Sequence, residues 1–190
     1  MTASKISRTE LTQRFPTDHL PSEFWESLGR VVATYGFLEQ VLGKAIFAFT
    51  ATREFSNQQD LDKAYEVWFN QLERAHTDQL GALINSYESS VRIHQEAPAL
   101  ELARLFDELR DAARTRNVLC HGAWGPPDLA GASVPYFVSK QGIKYDTAIS
   151  RDALDGLREH VSMLACDVID SVTCMGWRFP GLPGPGRPLW

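Results

Sequence analysis

The segment Arg114-Thr115-Arg116-Asn117-Val118-Leu119-Cys120-His121-Gly122 holds the residues best suited to chemistry in this chain. It places arginines, an amide and an imidazole at the C-terminal end of an amphipathic helical pattern. The apolar run Leu102, Leu105, Phe106, Leu109, Ala112, Ala113 defines the buried face at helical spacing. Arg116 follows Ala112 by four and continues that stripe, so its permanent charge needs a partner wherever it is desolvated. Asn117 and His121 are four apart and Arg114 and His121 seven apart, so these three share a face. Arg116 and His121 are five apart, roughly 140° around the axis at about 100° per residue. They converge only through the length of the arginine or through fraying of the helix at Gly122. A histidine in the last turn faces the negative end of the helix dipole, which favours its protonated form. An imidazole beside a permanent cation and an amide is suited to proton transfer at a phosphate. The same residues also serve as ordinary C-cap groups that bond free carbonyls.

Arg116-Asn117 followed after three further residues by His121 resembles the signature of the HEPN superfamily, the higher eukaryotes and prokaryotes nucleotide-binding domain. That motif is an arginine, a polar residue and a later histidine on a late helix of a helical bundle. Gly122-Ala123-Trp124 resembles the continuation seen in several bacterial members, and Tyr35-Gly36-Phe37-Leu38-Glu39 resembles their opening helix. The likeness covers Glu23 to Met175 in architecture and Arg114 to Gly122 in motif. The Pro/Gly-rich insert after Trp124 departs from the pattern. The resemblance implies a metal-independent endoribonuclease acting as a homodimer, with two motifs meeting across the interface. Attack of a ribose 2′-hydroxyl on the adjacent phosphate would leave a cyclic phosphate. His121 would then transfer protons, Arg116 hold the phosphate and Asn117 orient either group, with Glu39 and Arg114 in support. A toxin–antitoxin or defence setting with an antitoxin-like protein partner follows from the same likeness. The alternative is a non-catalytic nucleotide-binding or protein-interaction module, which the acidic charge and the lack of a basic stripe favour.

Composition narrows the setting. The chain has 190 residues, 44% of them hydrophobic, enough for one core. A net charge of -5 attracts no nucleic acid at long range, so any RNA site is local and no DNA partner is expected. Three cysteines without paired spacing form neither a disulfide framework nor a zinc cluster. No metal or cofactor is expected. No signal-like start and no apolar run of membrane-spanning length are expected, and the expected location is cytoplasmic. No nucleophile elbow or phosphate-cradling loop occurs.

The elements that must position the motif read as an all-α fold, a four-helix, mostly antiparallel bundle with a small β-hairpin inserted before the last helix. The first helix spans 23–50, capped by Ser22, with the stripe Phe24, Leu28, Val31, Tyr35, Leu38, Leu42, Ala45, Phe49. Gly29, Gly36 and Gly43 recur at heptad spacing, which predicts a face where another helix approaches closely, with Glu39 beside it. A second helix spans 60–93, continuous or broken near Asn70, with Tyr65 on its apolar side and His76 and His94 on the surface. The motif helix runs from Pro98 to 121, and the hairpin occupies 133–148. Ser150 caps a last helix over 150–176. Domain boundaries follow: a flexible segment over 1–20, one helical domain over 21–178, and a Pro/Gly-rich tail over 179–190 in which Trp190 is free to dock.

Overall fold

The long apolar stripe near the N-terminus becomes the spine of the fold. In the computed structural model, which describes residues 7–75, 80–99 and 101–181, helix α1 (Ser22–Ala51) buries all eight positions of that stripe. Helices α2 (Gln58–Ala75), α3 (Leu80–Ile93), α4 (Ala103–His121) and α5 (Arg151–Thr173) each pack against α1. Side chains at 68 and 70–75 are not described. The core runs along α1 and is closed by Leu83, Tyr87, Phe106, Leu109, Leu154, Leu164 and Val168. Tyr87 donates to Ser171 Oγ at 2.7 Å, joining α3 to α5 inside this apolar layer. Arg110 and Arg92 both pair with Glu88, tying α4 to α3 at the surface.

Several boundaries differ from the sequence reading. In place of the helix expected over 60–93, continuous or broken near Asn70, the described residues form two helices, and the first runs unbroken through Asn70. Tyr65, assigned to an apolar side, is 48% exposed. The motif helix begins at Ala103 because the chain first makes a turn in which Glu101 and Leu102 donate to Pro98 O. Ser22 is inside α1 rather than its cap, whereas Ser150 caps α5 as expected and accepts from Ala153 N–H at 3.1 Å. His94, expected at the surface, is buried. Its Nδ1 accepts from Glu96 N–H, which leaves Nε2 to donate to Thr52 Oγ1 at 3.2 Å. His76 lies outside the described residues.

Among the described residues the architecture is all-α with five α-helices rather than four, and the expected β-hairpin does not form. Among the described residues there is no strand, only three isolated antiparallel bridges, Ala123 with Tyr136, Ser133 with Ile149 and Val138 with Lys144. Pro135 explains the interruption: it has no N–H to donate at the position between the second and third bridges. Tyr136 then gives both of its backbone groups to Ala123, away from the returning chain. The segment still reverses direction, through a turn in which Gly142 takes φ 78° and donates to Ser139 O.

Among the described residues the glycine line is not a packing face at Gly29 and Gly36. Gly43 is buried, but Gly29 and Gly36 are exposed, and a Cβ on either would meet nothing within 4 Å. An 18-residue window of α1 reaches a mean hydropathy of 1.2, so by length and composition the helix passes as a membrane span, against expectation. Its apolar side is covered by the other helices. At the ends, Leu20 and Phe179 are buried, and Trp25 Nε1 donates to Thr17 O at 3.0 Å. Trp190 lies outside the described residues.

Candidate functional site

Helix α4 stays intact through His121, and the chain turns extended at Gly122 (φ -71°, ψ 137°), whose N–H donates to Val118 O at 2.8 Å. Glycine is required there by space. A Cβ would lie 2.6 Å from Val118 O and 2.7 Å from Pro135 Cβ. Directly after it, Ala123 and Tyr136 exchange two backbone hydrogen bonds of 3.0 and 2.8 Å. Trp124 packs edge-on against Phe24 with centroids 5.0 Å apart, which anchors the exit of the helix to α1. These contacts hold the 137–146 reversal against the end of α4.

Between them lies an open groove of about 780 Å³. Arg114, Asn117 and His121 line one wall, as their common face requires, and Lys140, Gln141, Lys144 and Tyr145 line the other. His121 is exposed and makes no hydrogen bond among the described residues. Arg114 pairs with Asp111 one turn earlier on the same helix. Lys140 and Lys144 have no ion pair among the described residues, and Asp146 is the acidic side chain of the lining. Burial raises the Tyr145 hydroxyl above its ordinary value, a hydrogen bond with Thr147 opposes it and Asp146 adds to it, so it stays a neutral phenol.

Arg116 is elsewhere. Its Nη2 lies 3.7 Å from Glu39 Oε1 on α1, and both side chains are about one quarter exposed, at 25% and 24%. Beneath them Tyr35 is fully buried, and its hydroxyl has no hydrogen-bond partner among the described residues. Burial above all holds that hydroxyl protonated, Cys120 adds to the effect and the Arg116 charge opposes it. The motif is therefore divided by the helix. Arg114, Asn117 and His121 face the groove, while Arg116 faces α1 with Glu39. Because α4 does not fray before Gly122, the angular separation of Arg116 and His121 stands.

Sequence reasoning missed Lys140, Gln141, Lys144 and Tyr145. Two lysines four apart around a glycine turn were visible, but nothing local placed that turn over α4. Among the described residues no three His, Cys, Asp or Glu side chains gather as a metal-holding set. All three cysteines are free, and Cys120 is exposed. No protein-family model matches the chain, and no curated protein or solved structure matches it significantly.

Proposed function

We propose that the groove binds RNA through its phosphates and that His121 transfers protons in a metal-independent, HEPN-type cleavage of the strand. One observation carries the reading. The exposed imidazole of His121, without a hydrogen bond among the described residues, opens into a groove whose far wall holds two lysines with no ion pair among those residues. In the reaction the 2′-hydroxyl loses its proton to a base, O2′ bonds to phosphorus, the P–O5′ bond breaks and O5′ takes a proton from an acid. A neutral imidazole serves as the base and a protonated one as the acid. The chain offers one such histidine in the groove, so two copies related by a two-fold axis supply the pair. Asn117, one turn from His121, orients the imidazole or the phosphate.

The clamp for the crowded phosphate differs from the sequence expectation. Arg116 is engaged with Glu39 on the far side of α4, so Arg114, Lys140 and Lys144 take that role. The same position of Arg116 favours a second reading, a groove that binds RNA or a nucleotide without cleaving it. Incubation of RNA in EDTA with wild type and His121→Ala separates the two. Cleavage by wild type, leaving cyclic phosphate ends, should fall about 10²–10⁴-fold in the variant and fail when the 2′-hydroxyl at the cut is absent. Binding without cleavage by wild type selects the second reading. Undiminished cleavage by a folded His121→Ala protein defeats the catalytic one, and a monomer by sedimentation at micromolar concentration removes the two-histidine arrangement.

A further inference from the structure

Tyr136 is 64% exposed, although its backbone is held by two hydrogen bonds to Ala123. Ala123 follows His121 by two residues, so the ring and the imidazole are fixed to the same short piece of chain. Lys144 Nζ lies 5.7 Å from the Tyr136 ring centroid, and the same lysine lines the groove. Its bridge to Val138, two residues beyond Tyr136, sets that spacing. A large ring presented to solvent on a rigid mount forgoes the area it would bury in a core. A ring with a cation over one face and a cationic groove beside it are the two parts from which single-strand binders are built, a stacking surface and a backbone track. Charge agrees: against a chain of net charge -5, the groove lining sets Lys140, Lys144 and Arg114, the last paired with Asp111, against Asp146.

We infer that Tyr136 is a stacking platform for an unpaired base of single-stranded RNA whose phosphates run along Lys144 and Lys140 past His121. The inference rests on the RNA reading of the groove and adds the form of the ligand to it. A base inside a duplex has both faces covered by its neighbours and cannot reach the ring. Lys144, which touches ring and groove alike, registers the stacked base against the adjacent phosphate. Tyr136 is a positioning residue, since no reacting atom needs to touch it.

The full chain would be titrated with fluorescent 2′-O-methyl RNA, which cannot undergo 2′-hydroxyl attack, as a single strand and as a duplex. The single strand should bind more tightly. Tyr136→Ala should weaken it roughly 5- to 150-fold, the range of one lost base–aromatic stack, while Tyr136→Phe retains the affinity. Lys144→Ala should lower the slope of log affinity against log salt by about 0.7. Equal affinity for duplex and single strand overturns the inference, as does unchanged binding by Tyr136→Ala, and both leave RNA binding itself standing. Absence of binding to either RNA fells the reading of the groove together with the platform. A dimer lost in Tyr136→Ala with RNA affinity intact assigns the exposed ring to self-association and also overturns the inference.

Discussion

Substitution of Gly122 by alanine tests how the site is assembled, because that residue touches no ligand in any reading. Its φ of -71° suits any residue, so only space is at issue. The added methyl would sit 2.6 Å from Val118 O and 2.7 Å from Pro135 Cβ, a backbone oxygen and a ring carbon that cannot rotate away. Either the last turn of α4 opens or the segment carrying Pro135 and Tyr136 withdraws. Overpacking of this kind costs about 1–3 kcal/mol. For a chain of 190 residues, at about 2–4 °C per kcal/mol, Tm should fall by roughly 2–12 °C. Thermal unfolding followed by circular dichroism reads that change. The affinity for single-stranded RNA should drop in the same variant, because the walls of the groove separate. Gly125→Ala is the matched control, since a Cβ there meets nothing within 4 Å. If Gly122→Ala melts within about 1 °C of wild type and binds as well, the contact with Pro135 does not hold the site together.

Tyr35→Phe removes a buried hydroxyl that has no partner among the described residues, so it should raise the unfolding free energy by about 1–3 kcal/mol in denaturant titrations; a lower midpoint would mean that the hydroxyl is bonded after all. Ser150→Ala deletes the side-chain cap of α5 and should cost about 1 kcal/mol, with an unchanged melting point counting against the cap. The Asp167 carboxyl is raised above its ordinary value by burial first, then by Asp170 and Glu108. A raised acid contributes stability only while protonated, and that contribution is lost as pH climbs through its folded value. Asp167→Asn should therefore melt higher than wild type at neutral pH, with the gain vanishing on acidification below that value; a gain that persists in acid would refute the cause.

What was legible in the sequence is what one element decides alone. The α1 stripe from Phe24 to Phe49 is buried at every named position, because a helix that covers one side writes its period into its own residues. The cap at Ser150 is equally local. The failures sit where a second segment decides. Tyr65 keeps the spacing of an apolar face, yet α2 leaves it exposed. The Val134 to Ala148 stretch has strand composition, but Pro135 lacks a donor and Tyr136 finds Ala123 instead of the returning chain. Gly29 and Gly36 have the spacing of a close helix contact and no helix against them among the described residues.

The motif shows the same limit most sharply. Whether Arg116 and His121 share one site depended on where α4 ends. That end is set by Gly122 closing on Pro135 and by Ala123 pairing with Tyr136, contacts with residues thirteen positions along the chain. Those contacts keep the helix regular through His121, so its 3.6-residue period turns Arg116 toward Glu39 and His121 toward Lys140 and Lys144. Spacing could name the reactive residues and their angular relation. Only the folded chain shows that the groove's lysines, and not the motif's own arginine, stand opposite the histidine.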